Sequence, residues 1–123
     1  VGRGLAEAGA VLVCGGLGGV MEAACRGAKS AGGTTIGILP GTRRDEANPY
    51  VDIAIATALG ELRNGLVVRA ADALVAVGGE FGTLSEIALA LKAGKPVVGL
   101  GTWEIRGVVV ASDPVEAVAL ALG

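Results

Sequence analysis

The residues able to do chemistry in this 123-residue chain gather in two glycine-rich stretches. The first is Gly15-Gly16-Leu17-Gly18-Gly19, and the second is Gly78-Gly79-Glu80-Phe81-Gly82-Thr83-Leu84-Ser85-Glu86. Backbone N–H groups at the start of a helix point outward and carry partial positive charge, so loops of this kind suit a phosphate. Glycine admits positive φ and lets a ligand approach the backbone closely. In the first loop the candidate binding residues are Gly15, Gly16, Gly18 and Gly19, with Met21 just beyond. In the second they are Gly78, Gly79, Gly82 and Thr83, whose hydroxyl can also meet a phosphate oxygen. Neither loop is a standard nucleotide motif. Counted from Gly16 and Gly18, the third glycine of G-x-G-x-x-G falls on Met21, and the next strand ends in Leu39-Pro40 rather than an acid, which speaks against NAD. The second loop lacks the Lys-Ser/Thr of a P-loop. A tight turn that needs small residues is the competing account of the first loop, but four glycines in five residues exceed that need.

Two charged residues near these loops need weighing, Glu86 and Arg63. With Thr83 as helix N-cap, Glu86 stands at the third helical position, and Thr83–Glu86 reads as a capping box. The alternative is a carboxylate at a crevice mouth, placed for acid/base work. Spacing alone favours the box. Arg63 reads as a solvated helix-face arginine. Arg43-Arg44-Asp45-Glu46 is charge-balanced and reads as a solvated loop, with an adjustable lid as the alternative. Lys92 and Lys95 flank a helix end, where the helix dipole and solubility account for them. Cys14 ends a strand beside the first loop and reads as a small buried residue, since no histidine exists to activate it.

Composition excludes much else. The chain has no histidine, which removes Ser-His-Asp and Cys-His catalysis and every histidine-containing zinc site; no metal site is expected. Cys14 and Cys25 are the only cysteines and read as reduced thiols of a cytoplasmic protein, with a disulfide between them as the less favoured alternative. Net charge is −2 with acids and bases well mixed, so no nucleic-acid partner is expected. The longest uncharged stretch, Ala8–Met21, is too short and too glycine-rich to span a membrane. Hydrophobic residues are 52% but aromatics only 2%, so the core must be built from Val, Ile, Leu and Ala.

The elements that position the loops follow from periodicity. Apolar runs of about five residues alternate with amphipathic stretches of ten or more, the βαβ pattern of a parallel sheet. Ala10–Cys14 reads as a strand buried on both faces, followed by the first loop and a helix from about Gly19 to Ala31. Strands follow at Thr34–Leu39 and Asp52–Thr57, then a helix over Glu61–Ala71. Ala73–Val77 leads into the second loop and a helix over Thr83–Ala93. Pro96–Leu100 and Gly107–Ala111 are strands. Asp113 as N-cap, Pro114 at N1 and Glu116 at N3 announce a last helix to about Leu122. Gly9, Gly32 and Gly94 read as helix stops. No repeat or linker interrupts residues 1–123, which read as one α/β domain with helices on both faces of a parallel sheet. Two glycine loops at the carboxyl ends of parallel strands fit ligand binding at a topological switch point.

Three segments together, Cys14-Gly-Gly-Leu-Gly-Gly-Val-Met-Glu-Ala, Gly37-Ile-Leu-Pro-Gly41 and Gly78-Gly-Glu-Phe-Gly-Thr-Leu-Ser-Glu86, resemble the Lonely Guy (LOG) and molybdenum-cofactor-carrier families, long labelled "possible lysine decarboxylase". The resemblance covers nearly the whole chain. It implies a Rossmann-like fold and a homodimer or homotetramer. In the LOG branch it implies a phosphoribohydrolase that cleaves the N-glycosidic bond of nucleoside 5′-monophosphates without a cofactor. The catalytic glutamate then falls on Glu86 and the arginine on Arg63, with Gly79, Gly82 and Thr83 holding phosphate; these groups would stabilise an oxocarbenium-like transition state. In the carrier branch it implies binding of a phosphorylated, molybdopterin-type cofactor. The decarboxylase label does not fit, because nothing marks a pyridoxal-phosphate lysine.

The chain departs from the LOG pattern at Gly78 for proline, Glu80 for glycine and Asn64 for lysine. Gly78 resembles the carrier branch, while Glu80 puts an acid beside the proposed phosphate cradle. Val1–Gly9 reads as the end of a helix, so the first strand of the family is lacking from the sequence. Two outcomes are expected. Either Val11–Val13 pairs directly with Leu74–Ala76, or a segment is missing and a gap of about two strand spacings, ~9.5 Å, is left. The first expectation for function is binding of a nucleoside monophosphate or pterin-type cofactor. The second is the hydrolase, and the third a structural or regulatory oligomer in which the loops are packing devices.

Overall fold

The computed structural model describes residues 1–123, which form two compact units, Val1–Val67 and Val68–Gly123. In the first, helix α1 (Gly2–Glu7) is followed by β1 (Leu12–Cys14), α2 (Val20–Ser30), β2 (Thr35–Leu39) and β3 (Ile53–Ala56). A 3₁₀ turn at Gly60–Arg63 leads into α3 (Asn64–Ala70), which crosses the boundary between the units. The second unit contains β4 (Leu74–Val77), α4 (Phe81–Lys92), β5 (Val97–Leu100), β6 (Val108–Val110) and α5 (Pro114–Leu122).

All strand pairs are parallel, in two three-stranded sheets ordered β1-β2-β3 and β4-β5-β6. Register is set by pairs such as Val13–Ile36, Gly37–Ala54 and Ala76–Gly99. The central strands β2 and β5 are the buried ones, as parallel strands covered on both faces must be. Here the expectation for the first strand is corrected. β1 has only β2 as a partner, so it is half-buried and short, and Val11 is 53% exposed. β1 pairs with β2 alone and β4 with β5 alone, so the ladder between Val11–Val13 and Leu74–Ala76 is not formed.

The aromatic-poor core is as composition requires. Buried apolar residues are aliphatic or Cys25, with Ile38 and Leu39 in the first unit and Val68, Ile87, Val97 and Val98 in the second. Gly9, Gly32 and Gly94 take positive φ just past α1, α2 and α4. Asp113 caps α5 by accepting the Glu116 N–H at 2.8 Å, with Pro114 in the first turn. The Glu116 carboxylate reaches back to the N–H of Ser112 at 3.0 Å.

Two lysines do more than their spacing suggests. Lys95 Nζ donates to the carbonyls of Val68, Arg69 and Ala71 at 2.6, 3.0 and 2.6 Å, closing the carboxyl end of α3. Such carbonyls lack helical partners and carry partial negative charge. Lys29 Nζ donates to Asp52 Oδ2 at 2.9 Å, and the same carboxyl oxygen accepts the Thr35 N–H at 3.0 Å. The Lys29 hydrogen bond first, then the one from Thr35, holds the Asp52 carboxyl below the usual carboxylate range. Buried Thr35 ties β2 to β3 by donating to the Tyr50 carbonyl at 2.6 Å and accepting the Asp52 N–H at 2.8 Å.

Candidate functional site

The first glycine loop joins the end of β1 to the start of α2, with Gly19 as the N-cap of α2. Its backbone is reversed at Gly16, where φ is +78°. A Cβ on Gly16 would stand 2.7 Å from Leu39 Cδ2 and 3.1 Å from Gly37 Cα, so the loop lies directly on β2. Gly15 is buried and faces the other way. A Cβ there would stand 2.7 Å from Arg63 Nη2 and 2.8 Å from Met21 Sδ. The fold therefore brings together three residues that the sequence singled out separately, Gly15, Met21 and Arg63. Gly18 and Gly19 are exposed, with open space where a side chain would be.

Arg63 ends the 3₁₀ turn that precedes α3, so the helix expected over Glu61–Ala71 is divided in two. Its side chain is held rather than solvated: Nη1 donates to Oδ1 of buried Asn64. Asn64 thus orients the arginine. Arg63 Nε is buried and has no hydrogen-bond partner. A buried guanidinium N–H without an acceptor is costly, on the order of 1–3 kcal/mol or more, and an anion is the natural acceptor.

Asn48 is the residue that sequence reasoning missed. It is buried, and its backbone N–H donates to the Gly16 carbonyl at 2.8 Å. Its Nδ2 donates to the Leu17 carbonyl at 2.9 Å and lies 3.4 Å from that of Gly16, while its Oδ1 accepts the Tyr50 N–H at 3.0 Å. A trans peptide places C=O and N–H on opposite sides. Turning the Gly16 and Leu17 carbonyls toward Asn48 therefore sends the N–H groups of Leu17 and Gly18 the other way. The only sequence signal was Asn48-Pro49, a turn-forming pair.

The second loop belongs to the other unit, and here the capping-box expectation fails. Helix α4 begins at Phe81, with Glu80 as N-cap in extended conformation and no side-chain cap. Thr83 is thus the third helical residue rather than the cap, and Glu86 lies one turn farther along. Trp103 braces this start. Its Nε1 donates to the Glu80 carbonyl at 3.2 Å, and its ring stacks on Phe81 with centroids 6.0 Å apart. The Glu80 carbonyl also accepts the first helical N–H, from Leu84, at 3.1 Å. Gly78 turns the chain before it with φ of +83°. Gly79, Glu80 and Gly82 are exposed, while Thr83 and Glu86 are half-buried. Arg63 belongs to the first unit and Glu86 to the second. No helix is long and apolar enough to cross a membrane.

Comparison with known proteins supplies the context. The family model described as the SLOG cluster4 family matches residues 1–120. An uncharacterized protein of Archaeoglobus fulgidus is 52% identical over 119 residues, covering 96% of this chain and 78% of the relative. Among solved structures, the molybdenum cofactor binding protein of the phototrophic bacterium Rippkaea orientalis is 43% identical with a TM-score of 0.91, covering 97% of this chain and 80% of that one. The molybdenum cofactor carrier protein of Chlamydomonas reinhardtii is 46% identical with a TM-score of 0.87, covering 96% and 79%.

Proposed function

The chain belongs to the SLOG cluster4 family, and on that premise we propose that it binds a phosphorylated pterin-type cofactor, with the first glycine loop and Arg63 taking the phosphate. The unpartnered, buried Nε of Arg63 beside Gly15 carries this reading. The relatives named for binding or carrying molybdenum cofactor support the ligand class. Arg63 supplies a fixed positive charge, held by Asn64. The N–H groups of Leu17 and Gly18, directed by Asn48, supply neutral donors. Gly15 lets the guanidinium lie against the loop, and exposed Gly18 and Gly19 leave room for phosphate oxygens. The exposed start of α4, with Thr83 in its first turn, is a second group of donors suited to an anion.

The test is a titration of purified protein with molybdenum cofactor released from a molybdoenzyme, read by calorimetry and thermal shift. At 100 Kd the ligand should add about 2.7 kcal/mol of stability. Arg63→Ala should bind at least about tenfold more weakly, the loss of one charge-assisted hydrogen bond. Absence of binding, or equal binding by wild type and Arg63→Ala, refutes the proposal.

A further inference from the structure

The two cysteines are far apart in role as the sequence presents them, yet their sulfurs are neighbours. Cys14 Sγ and Cys25 Sγ stand 3.6 Å apart, bridging the end of β1 and the middle of α2. Cys25 has no exposed surface, and Cys14 is half-buried. The Gly16 N–H donates to Cys14 Sγ at 3.3 Å. A backbone N–H aimed at sulfur supports the thiolate, which is the reacting form of cysteine. A disulfide has its sulfurs about 2.05 Å apart, so roughly 1.5 Å of closure separates this pair from a bond. The segment between the two cysteines includes the whole first glycine loop.

We propose that Cys14 and Cys25 are a peroxide-sensitive dithiol whose oxidation closes the first glycine loop into a covalent ring. Cys14 is the attacking residue, being the one with exposed surface. Its thiolate attacks hydrogen peroxide: an S–O bond forms, the O–O bond breaks, and the departing hydroxide takes up a proton as water. Cys14 is then a sulfenic acid. The Cys25 sulfur attacks it, the S–S bond forms, the S–O bond breaks, and the leaving hydroxide takes the Cys25 proton as a second water. Two thiols thus lose two electrons and two protons in total, and one peroxide becomes two waters. A thiol reductant reverses the reaction by exchange. The ring ties the loop at both ends and limits the freedom of its amides.

The experiment treats the full chain, reduced and then freed of reductant, with one equivalent of hydrogen peroxide. The expected product is a monomer lighter by about 2 Da, with no titratable thiol after denaturation, and restored by dithiothreitol. In Cys25→Ser the reaction should stop at a sulfenic acid on Cys14, heavier by about 16 Da and trapped by dimedone. In Cys14→Ser buried Cys25 should stay reduced. Amide exchange of Leu17 to Gly19 should be slower in the oxidised protein than in the reduced one. The proposal is overturned if native wild-type protein keeps both thiols, if it gains oxygen without losing two hydrogens, or if only disulfide-linked dimers form. The wild-type mass and thiol count decide the matter whether or not the serine variants fold.

Discussion

The guanidinium of Arg63 lies on the backbone of Gly15 so closely that a single methyl group there would stand 2.7 Å from Nη2. The two residues are 48 positions apart, and neither explains the other in the sequence. Together they place a fixed cation beside a turn whose Leu17 and Gly18 amides point away from Asn48.

Gly15→Ala should therefore separate binding from stability. The atoms that the new methyl meets, Arg63 Nη2 and Met21 Sδ, are the ends of flexible side chains. They can move, so the stability cost should stay near the low end of the 1–3 kcal/mol typical of overpacking, about 1 kcal/mol. The displaced arginine should weaken cofactor binding about tenfold, as expected for one hydrogen bond to a charged group. Calorimetric titration beside thermal unfolding tests this, and unchanged affinity would refute it.

Asn48→Ala should loosen the first loop. The substitution removes the Nδ2 donor to the Leu17 carbonyl and the Oδ1 acceptor for the Tyr50 N–H. Leaving such buried groups unpaired should cost about 1–3 kcal/mol. Asn48→Asp should be no better, since an ionised carboxylate has no N–H for the carbonyls. Urea unfolding gives the cost, and faster amide exchange at Leu17 and Gly18 locates it. A loss of stability with unaltered exchange in the loop would mean that Asn48 acts elsewhere.

Trp103→Leu should move the start of α4. Without the indole N–H on the Glu80 carbonyl and the ring on Phe81, the local signal in Thr83-Leu84-Ser85-Glu86 is unopposed. The N-cap should then move to Thr83, with Glu86 at the third helical position completing a capping box. Backbone chemical shifts of residues 80–86 read this directly. A helix still starting at Phe81 would show that Gly78 and the loop, not Trp103, fix the boundary.

Acid should expose the role of Lys29. The Asp52 carboxyl is held below its ordinary value by Lys29 and the Thr35 N–H. A carboxylate with a depressed folded pKa contributes stability that is full above its unfolded value, near pH 4, and is lost as pH falls through the lower folded value. Stability from this pair should be flat from pH 7 to about pH 5 and decline below about pH 4. Lys29→Met should flatten that part of the acid limb, and salt should weaken the wild-type effect because the pair is solvent-accessible. Acid titrations of both proteins, followed by circular dichroism, would contradict this if their limbs coincide.

The order of elements was legible in the sequence because each element declares itself locally. Buried strands such as Thr35–Leu39 and Val97–Leu100 are unbroken apolar runs, and Asp113-Pro114 with Glu116 carries its own cap. The glycines of the first loop were legible as candidates because four in five residues exceed what a tight turn needs, whereas Arg63 and Glu86 had ordinary helix roles to play and became candidates chiefly through the family resemblance. Contacts between distant segments were not legible. Asn48 holds the loop, Asn64 orients Arg63 and Lys95 closes α3 through contacts that no periodicity encodes. The start of α4 shows why. Thr83 and Glu86 offer one good cap, but the N-cap is Glu80, three residues earlier, where Trp103, twenty residues beyond Thr83, holds the Glu80 carbonyl and the Phe81 ring. A local cap contributes about 1 kcal/mol, which a tertiary hydrogen bond and an aromatic pair together can outweigh. The sequence by itself determined the elements and the chemistry available to them. The tertiary structure decided which of those groups meet, because folding sets their separation in space independently of their separation along the chain.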